Sequence, residues 1–164
     1  IGLGANLASP IYGSPRSTLE SALGKLKKVG INPIRVSSWY KSTAVPTSSQ
    51  PNFINAVAEV ISTLTPHALI KSLLAVETKF GRKRAILNEA RIIDLDLLVY
   101  DTLIINDTII DGINATVPHP RMNYRGFVLT PLRELCPNWI DPKSGLHINY
   151  LINQLPKNQI IEII

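Results

Sequence analysis

Apolar positions recur along the chain at two spacings. Leu19, Ala22, Leu23 and Leu26 fall three and four apart and make one stripe of a helix. Ser14 stands where an N-cap belongs, Pro15 fits the first helical position, and Gly30 is a stop. The design repeats at Thr65 and Pro66, followed by Leu69, Leu73, Val76 and Phe80 and closed by Gly81. Between these helices, β-branched and aromatic runs predict strands over 1–6, 34–40, 53–61 and the apolar stretch from Ile93 to Val99. Residues 101–110 predict a hairpin turning at Asn106–Asp107, 127–135 a short helix, and the tail a helical NYLINQL and a strand IIEII. The order β-α-β-β-α-β, then hairpin and short helices, predicts an α+β fold. Its expected form is a ferredoxin-like α/β sandwich with a mainly antiparallel sheet, in one domain over 1–164.

Composition narrows the class. Apolar residues are 45% and charged residues 18% of 164, which suits a globular chain and argues against disorder. A net charge of +5 suits an anionic partner without separating nucleotides from nucleic acid. A single cysteine, Cys136, rules out an internal disulfide and a thiol metal site and points to a reducing, cytoplasmic setting. No apolar run approaches the ~20 residues of a membrane span. GxGxxG and GxxxxGK[ST] are both missing, so neither a dinucleotide fingerprint nor a P-loop is available.

The stretch from Ile93 to Val99 breaks its own pattern. Strand residues two apart share a face, roughly 7 Å from one another. Ile93, Leu95, Leu97 and Val99 therefore face one way, and Asp94 and Asp96 the other. Two such carboxylates repel one another and lose hydration, and the usual relief is a bound cation or a shifted pKa. Arg82, Lys83, Arg84 and Arg91 arrive just upstream, which points to an anion, a polyphosphate, held between metal and arginines. The alternative is that the aspartates pair with Arg91 or cap a sheet edge. Phe53 and Asn55 share a strand face and either stack on a planar ring and read its hydrogen-bonding edge or belong to the core. His119, between prolines in TVPHPRMNYRGF, is poorly placed for a core, and Arg121 and Arg125 add positive charge beside it. Glu77 stands near the Ile70–Leu74 edge of its helix, at a boundary within reach of a ligand. The Ser-, Thr- and Pro-rich loop over 41–52 is long for a compact domain and so a functional segment.

Taken in order, GLGAN, SSWYKS, QPNFINA, FGRKR, ARIIDLDLL and TVPHPRMNYRGFVLTPL resemble the 6-hydroxymethyl-7,8-dihydropterin pyrophosphokinase family of folate biosynthesis, as far as Pro137. The resemblance implies pyrophosphate transfer from MgATP to the hydroxymethyl group of the pterin, releasing AMP, on a ferredoxin-like fold with mobile loops. By position it implies that Asp94 and Asp96 hold two Mg²⁺ ions and that Arg82 and Arg91 act catalytically on the transferring phosphates. It gives Glu77, Arg84, Thr116, His119 and Arg125 to ATP. It sandwiches the pterin between Phe53 and Phe127, with Asn55 and the backbone through Ser42, Thr43 and Val45 on its polar edge. The implied partners are small molecules, not nucleic acid or membrane, for a monomer open to fusion with another folate enzyme. The chain departs from many members at Asn88-Glu89-Ala90, where they carry Trp-Gly-Pro in a longer loop, and Phe53 stands for a tyrosine found in some. A basic RNA-binding module on the same scaffold fails to account for paired aspartates, which would repel phosphates.

Overall fold

The computed structural model describes residues 1–46, 48–82 and 89–164. Capping chemistry fixes both long helices. Ser14 Oγ accepts the Ser17 N–H at 3.2 Å ahead of α1 (Pro15–Lys27). Thr65 Oγ1 accepts the Ala68 N–H at 3.4 Å ahead of α2 (Pro66–Lys79). Each helix opens on a proline, whose missing N–H would have no helical partner there. Gly81, at φ 88°, releases the chain from α2 in the left-handed conformation that a side chain would strain.

The strands are β1 (Gly2–Ala5), β2 (Asn32–Val36), β3 (Tyr40–Ser42), β4 (Phe53–Ile61), β5 (Asp94–Asp96), β6 (Ile105–Ile110), β7 (Ile113–Val117) and β8 (Ile161–Ile163). Among the described residues, one antiparallel sheet runs β5-β1-β4-β3-β8 with β2 also on β4, while β6 and β7 pair as a separate hairpin. On one face, Leu3, Ala5, Ala56, Ala58 and Leu95 pack against Leu19, Leu26, Leu69, Leu73 and Val76 of α1 and α2. On the other, α3 (Gly126–Leu135) and α4 (Ile148–Asn153) bury Leu129, Leu132, Ile148 and Leu151 with Val57, Leu98 and Met122. The result is a mixed helix and antiparallel-sheet protein. No helix among the described residues is long and apolar enough to cross a membrane.

Several expectations need correction. The strand expected over 34–40 is two, β2 and β3, because Ser37 interrupts the ladder. Its hydroxyl accepts the Val57 N–H at 3.0 Å while its own N–H goes to the Val57 carbonyl at 2.9 Å. The expected loop over 41–52 accordingly begins only after Ser42. The hairpin does not turn at Asn106–Asp107. It turns at Asp111–Gly112, with φ 51° and 74°, the Asp-Gly pair that a two-residue loop prefers. Asn106 and Asp107 fall instead where the register shifts between Ile105 and Thr108. Val99 does not share the Leu95–Leu97 face, since the strand ends at Asp96 and Val99 packs with the α3–α4 cluster. The aspartate strand is also an edge strand of the described sheet, paired to β1 alone. That position decides the site.

Candidate active site

Cross-strand register builds the floor of a cavity. Gly4 of β1 lies opposite Asp94 of β5 on one side and Asn55 of β4 on the other, and Gly2 lies between Asp96 and Val57. Paired residues share a face, so the glycines clear the space between carboxylate and amide. A Cβ on Gly4 would meet Asn55 Oδ1 at 3.3 Å and Asp94 Cβ at 3.8 Å. Phe53, Asn55, Arg91, Asp94, Asp96, Arg125 and Phe127 line the resulting cavity, together with Ser42, Thr43 and Val45. Asn55 Nδ2 donates to Ser42 Oγ at 2.9 Å, which fixes the buried amide. Each aromatic wall is backed by a guanidinium: Arg91 lies 5.8 Å from the Phe53 ring and Arg125 5.5 Å from the Phe127 ring.

The two aspartates differ sharply. Arg91 Nη1 donates to Asp94 Oδ2 at 2.7 Å, and Arg82 Nη1 donates to Asp94 Oδ1. Burial raises the pKa of Asp94, but the two guanidiniums outweigh it and hold the carboxyl below its usual range. Asp96 has weaker company: Arg125 Nη1 at 3.7 Å and His119 Nε2 at 4.0 Å. Burial and the neighbouring Asp94 charge push its pKa up. His119 does not supply the missing charge, because burial and the cations Arg125 and Arg121 lower its pKa to about 4. Its Nδ1 accepts the Arg121 N–H at 3.2 Å, which leaves the proton of the neutral ring on Nε2, facing Asp96. The alternative pairing with Arg91 is thus real for Asp94, while Asp96 is left short of positive charge.

A second cavity opens on the outer side of β5. It is lined by Ile70, Leu73 and Leu74 of α2, Leu95 to Leu97, Asn114 and Thr116 of β7, and His119 with Pro120. Among the described residues Asp96 alone lines both cavities, which is open to it because its strand has no described neighbour on that side. Thr116 turns its hydroxyl to Asp107 Oδ1, 2.7 Å away across the hairpin.

Glu77, a boundary residue that the resemblance gives to ATP, is 1% exposed behind Asp94. It accepts the Leu95 N–H at 2.7 Å and Arg82 Nη1 at 2.5 Å, so it anchors the edge strand and aims Arg82. Arg84 lies outside the described residues. Asn6 is a supporting residue that the sequence pattern did not single out. Its Oδ1 accepts the Arg91 N–H at 2.7 Å, and its own N–H donates to the Arg91 carbonyl at 3.0 Å. The only sequence signal for it is an asparagine closing a glycine turn.

The donor set fits a small hard cation. Asp94 and Asp96 offer carboxylate oxygens on one face, and Asp96 lacks the charge that a divalent ion would bring. Among the described residues no group of three or more His, Cys, Asp or Glu is gathered. Two carboxylates suit magnesium, which is held by one or two carboxylates with phosphates and water supplying the rest.

Two cavities meet at one carboxylate, and arginines wall the first of them, an arrangement that has room for two ligands side by side. Comparison with known proteins gives the family. The sequence model of the 7,8-dihydro-6-hydroxymethylpterin-pyrophosphokinase family matches residues 1–137. The 2-amino-4-hydroxy-6-hydroxymethyldihydropteridine pyrophosphokinase of Synechocystis sp. is 41% identical over 156 residues, 94% of this chain and 74% of that protein. The Haemophilus influenzae protein of the same name is 32% identical over 164 residues, 99% of this chain and 96% of its own. In the mitochondrial folate synthesis bifunctional protein of Arabidopsis thaliana, 34% identity over 147 residues covers 25% of that longer chain. The chain belongs to the 7,8-dihydro-6-hydroxymethylpterin-pyrophosphokinase family.

Proposed function

We propose that the chain transfers pyrophosphate from ATP to the hydroxymethyl group of 6-hydroxymethyl-7,8-dihydropterin, giving the pterin diphosphate and AMP. The observation that carries this conclusion is the meeting of two cavities at Asp96. The pterin takes the first, its ring between Phe53 and Phe127 and its polar edge on Asn55 and the backbone from Ser42 to Val45. ATP takes the second, its base against Ile70 and Leu74 and its triphosphate passing Thr116 and His119 toward Asp96. The hydroxymethyl oxygen attacks the β-phosphorus. A new O–P bond forms as the bond to the α-phosphate oxygen breaks, AMP leaves with the electron pair, and the hydroxyl proton passes to solvent.

Asp94 and Asp96 hold two Mg²⁺ ions, which offset the charge of the triphosphate when bound. Arg82 and Arg91, now spent on Asp94, gain a second anion when the triphosphate arrives and stabilise the transferring phosphates. His119 donates from Nε2 to a phosphate oxygen; a nitrogen that already carries its proton is no base. The fold is the ferredoxin-like sandwich, and the chain works as a cytoplasmic monomer. The test is to incubate the protein with ATP, Mg²⁺ and the pterin and follow AMP by chromatography. AMP is expected only with all three present. AMP formed without pterin, or none with all three, overturns the proposal.

A further inference from the structure

The match to the family ends at residue 137, yet the segment beyond it reaches back to the site. Arg125 is at once the C-cap of the 3₁₀ turn Met122–Tyr124 and the N-cap of α3, and its side chain makes no capping hydrogen bond to α3. The first N–H groups of a helix have no partner within it. Here the Gly126 N–H donates to Gln159 Oε1 at 2.7 Å, and Gln159 Nε2 donates to the Tyr124 carbonyl at 2.9 Å. One side-chain amide therefore brackets Arg125, binding the peptide groups on either side of it. Gly126 lies so close to this segment that a Cβ there would stand 2.4 Å from Ile161 Cδ1 and 3.1 Å from Gln159 Oε1. Ile161 begins β8, which pairs with β3 beside Ser42, so the tail is also tied to the wall that holds Asn55.

We propose that Gln159 is a positioning residue for Arg125. It fixes the backbone from which the guanidinium reaches Asp96 at 3.7 Å and stacks on Phe127. The guanidinium needs such support, because Asp96, its ion-pair partner, stands beyond hydrogen-bond distance. Free to swing, Arg125 would turn to solvent and leave the triphosphate. This assignment rests on the pyrophosphokinase conclusion above.

The experiment compares AMP formation, KM for ATP and Tm in the native sequence, Gln159→Met, Arg125→Ala and the double variant. Methionine keeps the volume and loses both hydrogen bonds. Gln159→Met is expected to lower kcat/KM for ATP about tenfold, the size of one or two net hydrogen bonds, with Tm falling only a few degrees. With Arg125 already removed, the same change should cost less than about twofold. Gln159→Glu keeps the acceptor for Gly126 and loses the donor to Tyr124, and should fall between. A Gln159→Met protein as active as the native one overturns the assignment, as does an undiminished loss in the Arg125→Ala background. A loss that vanishes on cooling well below Tm also overturns it, since it marks stability alone. A native chain that makes no AMP overturns the pyrophosphokinase conclusion and this one with it, so the two failures are told apart.

Discussion

Asp94 and Asp96 stand two residues apart on one short strand, yet their surroundings are opposite. Asp94 is held by two guanidiniums, which in turn are fixed by Glu77 and by the backbone near Asn6 and Glu89. Asp96 faces a neutral imidazole and one arginine beyond hydrogen-bond distance, and its side chain is 37% exposed against 23% for Asp94. A saturated carboxylate stabilises the protein, whereas an unsatisfied one stores a demand for cation. Without bound ligands the two carboxylates thus differ: Asp94 is paired with arginines, and Asp96 stands at the junction of two cavities.

The largest expected effect breaks this comparison at its open end. Asp96→Asn removes the proposed metal ligand and no core volume, so kcat should fall on the order of 10³-fold with Mg²⁺ and both substrates at saturation. Tm of the metal-free protein should hold or rise, because a repelled carboxylate has gone. An Asp96→Asn enzyme of native activity would rule out the metal assignment. Asp94→Asn should behave differently. It leaves Arg82 buried with half its pairing, and should destabilise the protein by about 3 kcal/mol in denaturant titration, besides slowing the reaction. Equal Tm losses in the two variants would erase the distinction.

Much of this arrangement is legible in the sequence because local rules agree there. Proline after a capping hydroxyl, an apolar stripe at helical spacing and a glycine stop specify α1 and α2 without tertiary help. The same-face placement of Asp94 and Asp96, and of Phe53 and Asn55, follows from strand period alone. What stays hidden depends on distant partners. Period says nothing about whether a strand is central or at an edge, and the edge position is what opens Asp96 to both cavities. Glu77 looks like a boundary residue until the Leu95 N–H and Arg82, eighteen and five residues away, converge on it. The hairpin is a different lesson. Asn106–Asp107 and Asp111–Gly112 are both credible turns, and Asp107 does take a positive φ of 42°, but as part of the irregularity in β6.

A smaller effect sharpens the contrast between the cavities. Asn55→Ala removes the amide beside Gly4 and leaves the buried Ser42 hydroxyl without its donor. KM for the pterin should rise roughly ten- to a hundredfold, as when a polar edge loses its partner, while KM for ATP stays within about twofold. Equal shifts in both constants would mean that the cavities are not divided between the two substrates.

The smallest effect is a difference of slopes with pH, and it returns to the pair of groups at the junction. His119 has a pKa of about 4 in the folded chain against an ordinary 6.5, so between those values the unfolded chain binds more protons. Its contribution to stability is complete above pH about 6.5 and is lost as pH falls toward about 4, amounting to about 1 kcal/mol by pH about 5.5. Asp96 works in the opposite sense. Its pKa is raised by folding, so its contribution is complete below the ordinary carboxylate value and is lost as pH rises through the folded one. In the metal-free native protein the two slopes are opposite in sign. His119→Gln, which cannot titrate, should therefore lose less stability than the native chain when denaturant titrations at pH about 7.5 and about 5.5 are compared. Equal losses in the two proteins would mean that the imidazole takes up its proton over the same pH range folded as unfolded, and so stands ready to pair with Asp96 at pH about 5.5.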